Sequence, residues 1–173
     1  LAEGWLLITG LLPLWLGWRR FPDRRQDTQK LHQDWQASEW RPHVDILIPT
    51  YGVPLEVLQR SLLGCTQQSY PHTSVLVLDD SGREEVRQLA KQLGCRYLHR
   101  PERRHAKAGN LNAGLSRCDG ELVAVFDADF IPQHRFLEHS IGFLLDPDVA
   151  LLQTPQSFIN ADPVMRNLRM ESS

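Results

Sequence analysis

From residue 44 onward, short runs of apolar, β-favouring residues alternate with longer stretches in which apolar positions recur every three or four residues. The runs at 44–48, 74–78, 96–98, 122–126 and 149–153 predict strands. The stretches between them predict helices at 54–66, from Ser81 onward, at 108–116 and at 133–145. In the first, Leu55, Leu58, Leu62 and Leu63 fall on one side behind Pro54, a residue suited to a first helical turn. Ser81 is placed to cap the second, with Glu84 and Glu85 in its first turn and Val86, Leu89 and Leu93 facing inward. Strands alternating with helices in this way predict βαβ units and an α/β fold, a mostly parallel sheet with flanking helices.

The pattern ahead of residue 44 differs. Residues 4–18 form an apolar run with Trp5, Trp15 and Trp18 near its ends, followed by Arg19, Arg20, Arg24, Arg25 and Lys30. Tryptophans favour the membrane interface and clustered basic residues mark its cytoplasmic side, so the domain that follows is expected to face the cytoplasm. A full span takes about 20 apolar residues. Residues 1–18 therefore read either as the last part of a truncated transmembrane helix or as an interfacial helix in contact with membrane lipid. Residues 19–43 are polar, with no apolar periodicity long enough to form core, and read as a cytosolic linker. Leu at the first position and an end without a turn signal suggest a fragment, whose remaining 44–173 form one domain.

Composition narrows the class. A chain of 173 residues buries one sizeable core. With a formal net charge of -2 and basic residues not interleaved with aromatics, nothing pulls it toward nucleic acid. Cys65, Cys95 and Cys118 are odd in number and widely spaced, and read as reduced thiols of a cytosolic compartment.

The candidate chemistry lies at the carboxyl ends of the predicted strands, where open α/β sheets bind ligands. Asp127 and Asp129 follow the fourth run with only Ala128 between them, and on an extended backbone both carboxylates would hang on one side. Such a pair suits a hard cation, magnesium or manganese, that completes its shell with water and phosphate oxygens, which points to a nucleoside-diphosphate site. Pro49-Thr50-Tyr51 follows the first run and Asp79-Asp80-Ser81 the second. Either aspartate could accept a hydrogen bond from a pyrimidine N–H or simply cap the next helix. Tyr51 could stack on a base or be a half-buried loop aromatic. Between these clusters, Arg103, Arg104, His105 and Lys107 precede Gly109 at a helix start, which suits an anionic phosphate.

Together these segments resemble the first half of the catalytic domain of processive family 2 glycosyltransferases, most closely the cellulose synthase catalytic subunit group. The resemblance is carried by the stretch from Val44 to Tyr51, by Leu78-Asp79-Asp80-Ser81, by the stretch from His105 to Asn112, and by Asp127-Ala128-Asp129. Gln153-Thr154-Pro155-Gln156-Ser157-Phe158, with Asn160 and Asp162-Pro163, completes it. It implies a glycosyltransferase-A fold over 44–173, and a membrane-bound enzyme of the inner (plasma) membrane, catalytic domain facing the cytoplasm, with other synthase subunits as possible partners. The implied reaction transfers glucose from UDP-glucose, with inversion, to a growing β-1,4-glucan, with Mg2+ or Mn2+ as cofactor. Rival readings are a synthase for hyaluronan, chitin or β-1,3-glucan, and a non-catalytic nucleotide-sugar-binding module.

Carried over by residue, the resemblance places Thr50 and Tyr51 on the uridine, Asp79 or Asp80 on the uracil and ribose side, and Lys107 on the diphosphate. Asp127 lies near diphosphate and sugar, as catalytic residue and metal ligand, and Asp129 holds the metal. The chain departs from the family at Gly52-Val53, where Asn-Glu usually stands. The family's Thr-Glu-Asp motif, which supplies the presumed base, and its Gln-x-x-Arg-Trp motif are absent from these residues, so the general base is expected to lie beyond Ser173.

Overall fold

A computed structural model describes residues 25–102 and 104–154. The expected membrane segment 1–18, Arg103 and the motif residues from Pro155 onward lie outside the described residues. The elements are α1 (Arg25–Ala37), β1 (Val44–Thr50), α2 (Leu55–Thr66), β2 (Thr73–Asp79), α3 (Glu84–Gln92), β3 (Arg96–His99), α4 (Ala106–Leu115), β4 (Leu122–Val125) and α5 (Phe136–Ile141), the last running into a 3-10 turn at Gly142–Leu145.

The strands form one four-stranded sheet in the order β3-β2-β1-β4, with every pairing parallel. β1 is buried along its whole length, as a central strand covered on both faces must be. Its residues divide by pleat. Ile46 and Ile48 join Leu58, Leu62, Val75, Val77 and Val86 in the larger core, against α2 and α3. Leu47 meets Leu76 and Leu78 on the opposite face, beneath Leu111 of α4. The chain builds outward from β1 through β2 to β3, then crosses back to lay β4 on the other side of β1. That reversal opens a crevice between the carboxyl ends of β1 and β4, the place where such sheets take ligands.

Two expectations need correction. Residues 149–153 form no strand: they pair with no backbone ladder, and line with β4 a common groove. Nor are 19–43 a linker throughout, since α1 packs on α5 and the 3-10 turn. Trp35 is buried in the main core, donates from Nε1 to the Trp40 carbonyl at 3.0 Å and packs edge-on against Tyr70. One large aromatic, with half-buried Leu31 beside it, thus docks a helix that is otherwise mostly polar. Among the described residues no helix is long and apolar enough to cross a membrane.

Asp45 is a charge buried in the middle of the sheet. Its carboxylate accepts from Ser74 Oγ, from the Asp119 and Gly120 amides at 2.9 and 2.7 Å, and faces Arg96 at 3.5 Å. Burial pushes its carboxyl up, but these donors outweigh burial and hold it below its usual 3.8. A carboxyl lowered by folding stabilises the fold fully above its unfolded value, and that contribution fades as pH falls through the folded one. Stability is therefore expected to drop below about pH 4, and Asp45→Ala, which removes the acceptor of Ser74 Oγ and of the Asp119 and Gly120 amides, to cost about 2 kcal/mol in urea unfolding at neutral pH and to flatten the acid limb. An acid limb unchanged by the substitution would refute the assignment.

Candidate functional site

The crevice between β1 and β4 is a cavity of about 540 Å³, within the range that holds a nucleotide-sized ligand. Its walls are Pro49 and Thr50 at the end of β1 with Tyr51 and Val53 just after it, Asp80 after β2, Ala106, Lys107 and Asn110 on the first turns of α4, and Asp127, Ala128 and Asp129 after β4. Four segments distant in sequence thus converge because every strand points its carboxyl end the same way.

Thr50 is buried at the end of β1 and its Oγ1 has no hydrogen-bond partner among the described residues. Tyr51, the next residue, is 66% exposed and belongs to the crevice wall. Gly52 follows with φ of 68°, a left-handed turn that glycine makes without strain.

The two aspartates after β2 separate cleanly. Asp79 does not line the crevice. It is fully buried, and its carboxylate accepts from the Ser81 amide and hydroxyl at 2.9 and 2.8 Å, from the Arg83 amide at 2.8 Å and from Tyr97 Oη at 3.1 Å. Burial raises its carboxyl, yet these four donors together hold it below the ordinary carboxylate value. Asp79, not Ser81, ties down the turn ahead of α3, and its lone pairs are spent there; the expected base-contacting role does not fall to it. Asp80 does face the crevice. It pairs through both oxygens with Arg100, Nε to Oδ1 at 2.7 Å and Nη2 to Oδ2 at 2.8 Å.

On the opposite wall Lys107 forms an ion pair with Asp127. Asp127 and Asp129 do not share one side of an extended strand. β4 ends at Val125, and a turn closed by the Phe130 amide on the Asp127 carbonyl at 2.9 Å bends the segment. Both carboxylates nonetheless line the cavity. The donor set is two hard carboxylates, with no group of three or more His, Cys, Asp or Glu side chains among the described residues. Such a set fits magnesium or manganese that takes its remaining ligands from phosphate oxygens and water, and lacks the nitrogen and sulfur donors that zinc favours.

Sequence reasoning missed two residues here. Asn110 stands one turn after Lys107, 2% exposed, with Nδ2 donating to the Leu78 carbonyl at 2.9 Å and Oδ1 without a partner. The spacing of three from Lys107 would have found it, since helix residues three apart share a face. Arg100 lies in no motif, and only the buried Asp80 betrays the need for a cation. A buried oxygen without a partner costs about 1–3 kcal/mol, so the two orphaned oxygens, Thr50 Oγ1 and Asn110 Oδ1, mark this crevice as shaped for a ligand.

A second groove, about 920 Å³, runs along β4 and is lined largely by apolar side chains such as Val123, Val125 and Leu151. It is larger, but no cluster of opposed charges converges in it, and chemistry belongs to the first.

Comparison with known proteins agrees. The chain is 42% identical over 136 residues to the UDP-forming cellulose synthase catalytic subunit of Pseudomonas fluorescens (strain SBW25), across 77% of this chain and 18% of that protein. It is 43% identical over 134 residues to the UDP-forming cellulose synthase 1 catalytic subunit of Komagataeibacter xylinus, across 76% of this chain and again 18% of that one. The chain therefore spans about 18% of the length of these relatives. Among solved structures, the mannosyltransferase PcManGT from Pyrobaculum calidifontis, in complex with GDP-Man and Mn2+, superposes with a TM-score of 0.57 at 26% identity, covering 72% of this chain and 40% of that one. S. aureus TarS in complex with UDP gives 0.55 at 18% identity, over 66% and 38% of the two chains, a likeness of fold. Residues 45–172 match the description Glycosyl transferase family 2, and with an α/β parallel sheet of the glycosyltransferase kind the chain belongs to that family.

Proposed function

We propose that this crevice is the donor site of a membrane-bound, processive, inverting glycosyltransferase that moves glucose from UDP-glucose to a growing β-1,4-glucan. The observation that carries the reading is the convergence of the Asp127–Asp129 pair and Lys107 with Tyr51 and Asp80 in one cavity. The sugar and linkage rest on likeness to the cellulose synthase subunits. The tryptophan-flanked apolar run at 4–18 and the basic cluster after it support a lipid-anchored catalytic domain on the cytoplasmic face of the inner membrane, and the word subunit in the relatives' names supports other synthase subunits as partners.

Each residue has a task set by its place. Tyr51 offers a ring face to the uracil, and Asp80, whose oxygens keep lone pairs beyond those given to Arg100, accepts from the base or ribose. Thr50 and Asn110 supply the two unpartnered oxygens as further hydrogen-bond sites. Lys107 Nζ leaves Asp127 for the diphosphate and compensates its charge, and Asp127 and Asp129 would hold the cation. Bound there, magnesium or manganese supplies Lewis-acid neutralisation of charge on the departing diphosphate. The acceptor hydroxyl bonds to the anomeric carbon as the bond to the diphosphate breaks, and its proton passes to a base that the crevice residues do not supply; the chain's own residues act on the leaving group by preorganised electrostatics and form no covalent intermediate.

Calorimetry tests the reading. UDP is expected to bind this chain in the presence of Mn2+ and to weaken at least tenfold in EDTA; equal affinity in both would sink it. Val53 stands in the crevice wall where the family usually has glutamate, which favours, as a second reading, a module that binds nucleotide sugar without turnover. The full-length protein in membranes, given radiolabelled UDP-glucose, decides between them. Polymer that a β-1,4-glucanase digests supports the synthase, and bound but unconsumed donor supports the module.

A further inference from the structure

The turn that delivers Lys107 to the crevice is held in a conformation its own residues disfavour. His105 and Ala106 have φ of 63° and 43°, in the left-handed region where a Cβ is strained; histidine visits it more often than most residues, alanine rarely. Two such positions in succession persist only where the surroundings impose them.

Arg100, just past β3, imposes them. Its Nη1 donates to the Arg104 carbonyl at 2.8 Å and its Nη2 to the Ala106 carbonyl at 2.7 Å, bracketing His105. The other edge of the same guanidinium grips Asp80 through both oxygens, in a pair whose side chains are 14% and 8% exposed. A guanidinium is a rigid plane with donors in a fixed fork, so these bonds cannot adjust independently. One plane therefore ties the Asp80 wall of the crevice to the turn that ends in Lys107. Gly109 completes the fit, for a Cβ there would stand 2.6 Å from Arg100 Nη1 and collide with the Arg104 carbonyl. Arg100 itself does not line the cavity.

From this geometry we infer that Arg100 is a positioning residue of the donor site: it fixes the left-handed turn at His105 and Ala106, and so sets Lys107 opposite Asp127, in register with Asp80. The inference rests on reading the crevice as a nucleoside-diphosphate site. It acts on the phosphate end of the ligand through Lys107, which separates it from a general contribution to folding.

The test is Arg100→Lys in this chain. A lysine keeps the charge beside Asp80 but carries one compact ammonium, which cannot span a carboxylate and two carbonyls at once. With Mn2+ present, UDP affinity is expected to fall about tenfold while uridine affinity changes less than twofold, and in a Lys107→Ala background Arg100→Lys should add little further loss. In the unliganded chain, the Gly109 amide, bonded to the His105 carbonyl at 3.1 Å, should exchange faster while the Val77 amide in the core is unchanged. Gly109→Ala crowds the Arg104 carbonyl with no charge altered, and should give the same UDP-selective loss should the lysine variant fail to fold. Equal losses for UDP and uridine, additive losses in the double variant, or unchanged Gly109 exchange would overturn the positioning role and leave the donor-site reading standing. Wild-type chain that binds no UDP overturns the donor-site reading, and the inference with it.

Discussion

Asp127→Ala is expected to weaken UDP binding about 30- to 150-fold in the presence of Mn2+, the equivalent of about 2–3 kcal/mol for a lost charged contact, and to leave it unchanged or slightly tighter in EDTA. The change of sign follows from the ion pair. Asp127 engages Lys107 across the cavity, so without a cation the carboxylate both repels a diphosphate and competes for the one lysine that could meet it. Removing it frees Lys107. With a cation present, the same carboxylate is half of the protein's donor set, and its loss leaves Asp129 alone. Asp129→Ala should show the metal-dependent loss with a smaller gain in EDTA, because it relieves repulsion of the diphosphate but does not free Lys107 from its pair with Asp127. Calorimetric titration of both variants with and without EDTA checks this, and an equal loss under the two conditions for Asp127→Ala would contradict the proposed competition.

Trp35→Ala is expected to destabilise the domain by about 3–5 kcal/mol and to lower Tm by roughly 10 °C in a thermal melt. Trp35 is 5% exposed and is the largest apolar side chain that docks α1. Its ring packs on Tyr70, lies 4.9 Å from the Arg41 guanidinium and donates to Trp40. Neighbouring contacts depend on it, for His32 Nδ1 meets the Glu138 carbonyl at 3.0 Å and Gly142 lies against the Leu31 backbone. Trp35→Phe, which keeps much of the area but not the indole donor, should cost less than half as much. Unchanged melting in the alanine variant would mean that α1 does not hold to the domain.

The helix missed in the sequence shows where pattern reading loses its grip. α1 buries one face of a strongly polar segment with Trp35 as its chief apolar anchor, so no period of apolar positions announces it. The expected strand at 149–153 fails for the complementary reason: its residues are apolar, but strand formation requires a ladder partner, which a local pattern cannot supply. By contrast the four observed strands lie within two residues of their expected limits; for β1 and β2 this is because a parallel strand buried on both faces writes itself as a near-continuous apolar run, while the half-exposed edge strands β3 and β4 are marked by their β-favouring residues between helical patterns. In the site, Lys107, Asp127 and Asp129 were legible from strand ends and spacing. The choice between Asp79 and Asp80 was not, since adjacent side chains differ only in which way the turn after β2 sends them. Arg100 was invisible for a related reason: its meaning lies in carbonyl groups, which have no letter in the sequence.

The return of the chain to β1 also orders events in time. β1 with β2, and β2 with β3, join segments separated by a single helix, whereas the register of Val44 with Leu122 closes a loop spanning most of the described chain. Loop closure of that length is slow and is repaid only by the contacts it creates. β4 should therefore arrive after the β1–β3 half has condensed, and with it the Asp127 wall of the crevice. A ligand that bridges the two halves then has nothing to grip until that late step. Bound UDP should accordingly slow unfolding of the domain while leaving its refolding rate nearly unaltered.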